Sequence, residues 1–394
     1  MATEKPDTFD TVDWDAISGS RGPRIQRNTL GLVVSSILLW GLFAYDYLIV
    51  PARANTFDAV GWEQNLATID YLFAFTIIVF VFYGLVPLYQ NPRMTKYYWK
   101  EFRRNRPAVL SLAWLGLIFV GGLVGPALMD PPTVELFNQY QPPVFLSIDS
   151  IYVIECAGPT ANSACQGSWA HPLGTTGSGE DIFTAIIYGM QISMKIGFIA
   201  TFIVMIIGTS VGTVSAYTGG IVDEVLMRYV DIQQSFPTFL LYLLILYIFG
   251  GSLALFIVLF GLFSWGGMAR YVRSKALSVA EEEYIQAVKI SGASSFAVVR
   301  RHMVPNSASS IITDITLLIP AFILFEAQLA FLGLGDSEVY SWGQLISIGR
   351  NDLAFAPWIV LAPGLFLFLT ILSFNFLGDA LLDALNPEAE AENE

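Results

Sequence analysis

The chain has 394 residues, of which 54% are hydrophobic and 13% charged, and its mean hydropathy is +0.58. Those values exclude an ordinary soluble domain and describe an all-α integral membrane protein. Net charge is −13, from 14 Arg and 6 Lys against 33 acids. This acidic, lysine-poor balance fits a high-salt surrounding (halophile), and it fits equally an acidic tail with acidic outer loops.

Residues 1–28 are polar and carry three arginines, so no cleavable signal peptide is expected. A span needs about 20 apolar residues to cross ~30 Å of hydrocarbon. Candidates run over residues 30–50, 71–89, 108–129, 192–216, 310–333 and 358–381. The block from Pro237 to Gly267 would reach about 46 Å as one helix. Gly250, Gly251 and Ser252 interrupt it, so it reads as two short spans, which gives about eight transmembrane helices.

With both termini cytoplasmic, seventeen Lys and Arg fall on inner segments. Arg53, Lys195 and Arg350 lie outside or near the outer boundary. Merging the interrupted block into one span destroys that positive-inside bias. A basic stretch at 91–106 separates a tail and two extra N-terminal spans (1–90) from a six-span core (91–387), and an acidic tail follows (388–394). In the core, the loop 130–181 has no Lys or Arg and is placed outside, whereas the insert within 270–306 is placed in the cytoplasm.

The sequence holds no Gly-Lys pair, so it lacks the phosphate loop of a nucleotide hydrolase. The glycine-rich GTTGSGED (Gly174 to Asp181) reads as a turn leading into a helix. The only histidines, His171 and His302, fall on opposite sides, which argues against a histidine metal site and against a Ser-His-Asp set. Cys156 and Cys165 share one loop, and a disulfide and two free thiols are both open. Asp314 and Glu326 lie in the seventh span with Pro320 between them. They suit a polar face lining a translocation pathway, or hydrogen bonds to a neighbouring helix. Arg228 and Asp231 are spaced for a local ion pair, and Asp379 and Asp383 are placed to meet basic groups of the insert.

The insert from Glu281 to Asn306 reads as two short amphipathic helices broken at Gly292. Tyr284, Ala287, Val288 and Ser291 form one small-to-apolar face. Ser294 or Ser295 caps the second helix, whose stripe is Phe296, Val299 and Met303, and Pro305 stops it. A helix-turn-helix between spans offers a surface to a partner protein.

From about Tyr97 to Pro387 the chain resembles the permease subunits of ABC importers of the dipeptide, oligopeptide and nickel group, dipeptide permease C type. The matching stretches are WKEFRRNRPAVL (Trp99 to Leu110), HPLGT (His171 to Thr175), VDEVLMRYVDIQQSFP (Val222 to Pro237), EAQLAFLGLG (Glu326 to Gly335), SWG (Ser341 to Gly343) and FNFLGDALLDALNP (Phe374 to Pro387). The family's cytoplasmic pattern falls here on Gln286, Ala287, Val288, Gly292, His302, Val304 and Pro305.

The resemblance implies that Glu283, Gln286, Ala287, Gly292, Arg300, Arg301, His302 and Pro305 form a coupling-helix surface for partner ATPases. It implies two ATPase subunits, a second permease, an external substrate-binding protein and a lipid bilayer as partners, with no nucleic acid. No cofactor is expected in this chain; ATP and Mg belong to the partners. Peptides are the expected cargo, with nickel complexes or sugars as alternatives. Gln286 replaces the family's glutamate, with Glu281, Glu282 and Glu283 just upstream. Glu180 stands where an arginine is usual in the outer motif, and Gln191 where another is common, with Lys195 one turn on. The rival readings are an ion-coupled secondary transporter with Asp314 and Glu326 as proton carriers, and a membrane enzyme.

Overall fold

The computed structural model describes residues 27–51, 56–57 and 66–385. Most of the N-terminal tail, Arg53 and the acidic tail 388–394 lie outside the described residues. In chain order come α1 (Arg27–Leu48), α2 (Thr68–Gln90), α3 (Pro92–Phe102) and α4 (Arg106–Leu128). The loop after α4 holds β1 (Ser147–Asp149), β2 (Thr160–Ala161) and β3 (Ala164–Gln166), an antiparallel sheet of order β1-β3-β2. Then follow α5 (Ile182–Thr218), α6 (Gly220–Ser235), α7 (Thr238–Phe249), α8 (Leu253–Glu281), α9 (Glu283–Ile290), α10 (Ser295–Val298), α11 (Ala308–Leu329), α12 (Trp342–Gly349) and α13 (Trp358–Leu385).

Among the described residues seven helices are long and apolar enough to cross a membrane, namely α1, α2, α4, α5, α8, α11 and α13. The chain is a multi-pass membrane protein. α7 alone is only ~18 Å long; α6 and α7, bent by 68° at their junction, are apolar enough only together and make an eighth crossing if they count as one broken span. Gly250, at φ +81°, separates α7 from α8, so the interrupted block is two pieces as its glycines predict. Two expectations need correcting. The second piece does not end at Gly267 but continues, past a break at Ser264, to Glu281. The fourth span starts at Ile182 rather than near 192, because Asp181 caps it by accepting the Thr184 N–H at 2.8 Å.

That early start makes α5 37 residues long, about 55 Å at 1.5 Å per residue. The loop 130–181 packs on its N-terminal end. Ile148 and Cys165 join Ile182, Ile186, Trp342 and Trp358 in one buried cluster. Cys156 and Cys165 are joined by a disulfide. The glycine-rich stretch is a turn into a helix, as read. Gly174 has φ +81°, and a Cβ there would meet the Gln141 carbonyl and the Trp358 indole. Glu180, the acid at the arginine position, is buried and accepts from the hydroxyls of Thr176 (2.9 Å) and Tyr340 (3.0 Å).

The C-terminal end of α5 meets the insert. α4 runs antiparallel to α5, with Gly122 against Met194 and the Tyr188 hydroxyl donating to the Met129 carbonyl at 2.8 Å. Arg106 therefore sits at the same end as the insert.

α2 packs on α5 through Phe73 and Phe75, whose rings meet Phe198 and Phe202, and through an ion pair from Asp70 to Lys195. α1 has no buried residue and rests on α2 through Trp40–Phe75 and Phe43–Tyr71. For α2 these contacts amount to packing beside the core.

Candidate functional site

The insert is built as a clamp with an outward face. Ile285, Val298 and Met303 are fully buried with Ala216 of α5 and Ala276 of α8. Val288, Ala293 and Val299 fill the gaps between them. The inward faces are thus Ile285–Val288 and Val298–Met303. Of the stripes read from spacing, Val288, Val299 and Met303 do face inward, but Tyr284, Ala287 and Ser291 are exposed and Phe296 is 71% exposed. On α9 Ile285 takes the place expected of Tyr284, one position or about 100° round the axis, and in the second piece the wide turn at Val299–Met303 brings Val298 onto the same side as Met303.

Gly292 ends α9 at φ +83°, with nothing within 4 Å of where a Cβ would stand. Ser294 caps α10 by accepting the Ala297 N–H. Pro305 does not stop the helix. A wide turn, Val299–Met303, in which the Val304 N–H reaches back to the Val299 carbonyl, leads into Val304–Asn306. The missing proline N–H falls in the first turn of that last piece, where none is needed. The chain interrupts only at Ser307, before α11.

The outward face carries Glu283, Gln286, Ala287, Ile290 and Gly292, then Phe296, Arg300, Arg301 and Pro305. On α9, Glu283, Gln286, Ala287 and Ile290 are spaced i, i+3, i+4 and i+7, a single helical stripe. Ile290 is 87% exposed, and with Phe296 it flanks Gly292. Arg300 lies over the Phe296 ring and Lys289 over Tyr217. His302 is half-buried against Tyr284, and Asn306 ties the two by donating to the Tyr284 hydroxyl (2.9 Å) and the His302 carbonyl (2.6 Å). Sequence reasoning passed over Ile290. An isoleucine breaking the polar side of a short amphipathic helix was the available signal.

α6 is stapled to α8 beside the insert by Asp223–Arg273 at 2.5 Å and by Asp231–Arg270. Asp231 therefore reaches across to α8 instead of pairing locally with Arg228. Among the described residues no Lys or Arg lies within ion-pair reach of Asp379 or Asp383.

The two intramembrane acids are not brought together. They stand twelve residues apart on α11, about 18 Å and a third of a turn around the axis. Asp314 is half-buried, while Glu326 is 3% exposed with the Ser341 hydroxyl at its side chain. Among the described residues no group of three His, Cys, Asp or Glu is arranged to hold a metal ion.

Residues 205–390 match the family described as "Binding-protein-dependent transport system inner membrane component", and residues 93–143 match "N-terminal TM domain of oligopeptide transport permease C". The chain is 37% identical over 290 residues, 73% of its length and 89% of the relative's, to the oligopeptide transport system permease protein OppC of Escherichia coli strain K12. It is 34% identical over 294 residues, 74% of its length and 84% of the relative's, to the dipeptide transport system permease protein DppC of Bacillus subtilis strain 168. It is 36% identical over 225 residues, 57% of its length and 75% of the relative's, to the glutathione transport system permease protein GsiD of Pectobacterium atrosepticum.

Proposed function

The chain belongs to the binding-protein-dependent transport system inner membrane component family, and on that premise we propose that residues 281–306 are the surface through which partner ATPases drive it. It is a permease subunit of the ABC importer type and not an enzyme. One observation carries the coupling proposal. The insert is fixed to the ends of α5 and α8 by a buried apolar face, and it still presents Ile290 and Phe296 outward around Gly292. Apolar side chains kept exposed on a rigid, polar element are what a partner's groove recognises.

In this reading Ala287 and Gly292 let the partner approach closely, while Arg300, Arg301, His302 and Pro305 form the rim. Glu283, one turn before Gln286 on the same stripe, supplies the carboxylate that Gln286 lacks. The insert faces the cytoplasm, as do both termini, and the loop 130–181 faces outward; the separation of basic residues supports this orientation. The accessory unit ends at residue 90, before Asn91, where the helical path of α2 breaks at φ −116°, ψ 66°. Asp314, half-open on α11, faces the translocation pathway, and Glu326 joins it when α11 and α12 part.

The cargo is a peptide, brought by an external binding protein to this chain and a second permease, with two ATPases completing the assembly. The relatives' roles in oligopeptide, dipeptide and glutathione transport support that class. The test is purification of the complex with its binding protein, followed by identification of the bound ligand and of copurifying subunits. A peptide and an ATPase are expected. A sugar or a nickel complex overturns the cargo, and transport without any ATPase overturns the coupling.

A further inference from the structure

α3 lies between two spans and carries a charge pattern that the transport reading does not use. Its inward residues Thr95, Tyr98 and Phe102 follow helical spacing, and Phe102 is buried against Ala108 of α4 and Ala380 of α13. α2 ends at Gln90 and α4 begins at Arg106. The helix is therefore held at the ends of three spans, at the level where hydrocarbon gives way to headgroups. On its outer side Lys96, Trp99, Lys100, Arg103 and Arg104 line an open cleft of about 510 Å³.

Lys96 and Lys100 are one turn apart, and Arg103 follows three residues on. Like charges at such spacing destabilise a helix unless an anion lies among them. Arg104 has Glu101 at 2.9 Å, but among the described residues Lys96, Lys100 and Arg103 have no ion-pair partner. The neighbouring side chains that remain exposed are Met94, Tyr97 and Trp99. Aromatic rings beside cations mark a membrane interface, where the ring settles among acyl chains and the cation reaches a phosphate.

We propose that this cleft binds the headgroup of an anionic phospholipid in the leaflet at the insert's end, with Lys96, Lys100 and Arg103 on the phosphate and Trp99 against the lipid's glycerol and upper chain. A membrane lipid is favoured over a docked protein because the helix is held at span ends on both sides and its exposed apolar residues are of the interfacial kind.

The experiment places the full-length protein in vesicles of equal parts phosphatidylglycerol and phosphatidylcholine, extracts it, and counts retained lipids by native mass spectrometry. Wild type is expected to retain phosphatidylglycerol over phosphatidylcholine. Each cation is worth about fivefold near an anionic surface, so Lys96→Gln with Lys100→Gln and Arg103→Gln should lower that retention by up to ~100-fold. The charge-keeping variant Lys96→Arg with Lys100→Arg should retain the lipid, which separates lost charge from lost folding. Equal retention by the triple Gln variant, or no preference in wild type, overturns the proposal. So does displacement of the lipid by inorganic phosphate, which would make the cleft a free-phosphate site. Loss of copurifying ATPase with lipid retention unchanged would assign the patch to a protein and overturns it equally.

Discussion

The Lys195 ammonium of α5 lies 2.6 Å from the Asp70 carboxylate of α2, and it also donates to Gln191 Oε1 at 3.2 Å. Both side chains are mostly shielded, so the pair ties an accessory helix to the core by charge inside a region otherwise made of rings and aliphatics. Replacing Asp70 by Asn leaves the ammonium without its anion. A loss of about 3 kcal/mol is expected, at the lower end for a broken buried pair. Asp70→Asn combined with Lys195→Met should recover most of it. Thermal unfolding of the purified protein in detergent measures both; equal Tm values for Asp70→Asn and wild type would remove the pair from the account.

Gly292 has open space around it, so substitution there tests backbone conformation and not clash. At φ +83° a β-branched side chain costs about 1–2 kcal/mol, and Asn costs less. Gly292→Val should therefore uncouple the insert, with uptake falling well below that of Gly292→Asn while insertion into the membrane is unchanged. Transport assays on matched amounts of membrane protein decide it; equal uptake for the two variants sinks the coupling role.

Ile290 and Phe296 touch little within the chain. Changing both to Ser should alter stability by no more than about 0.5 kcal/mol. Copurification of the ATPase should fall about tenfold or more if they anchor its groove. A lowered Tm with intact copurification would return them to a purely internal role.

The Asp181 carboxyl, outside the spans, lies below the usual carboxylate range. Burial pushes it up, but hydrogen bonds from His171 (3.0 Å) and from the Thr184 N–H outweigh that. A carboxylate whose folded value is depressed contributes stability above its ordinary value of about 4, and loses it as pH falls through the folded value. The helix start of α5 should thus weaken only below about pH 4. Acid titration followed by near-UV circular dichroism should show this, and His171→Ala should shift the transition to higher pH. An unshifted transition would rule out the His171 contact as its cause.

The class of fold was legible because hydrocarbon thickness demands long apolar runs, and glycines at 250–251 stop a helix that would overshoot. Gly292 was legible for a similar reason, as a residue that tolerates positive φ. What could not be read was rotation about short helices. α9 has eight residues, and a stripe through Tyr284 and one through Ile285 score alike until α5 and α8 supply the surface that buries one of them. Asp70 escaped notice because the apolar run was started one residue after it, which hid an intramembrane acid and with it the partner of Lys195. Pairings such as Asp231–Arg270 depend on which helices become neighbours, and local spacing favoured Arg228 instead.

α4, α11 and α13 each contain an internal proline, whereas α5 has none. The loop 130–181 rests on one end of α5 and the insert 281–306 on the other. At about 55 Å from end to end, a tilt of only ten degrees about one tip carries the other roughly 10 Å. On the proposed coupling role, α5 is the lever arm between the two, and a push on the insert arrives at the loop 130–181 as displacement, with no proline along the way to absorb the stroke.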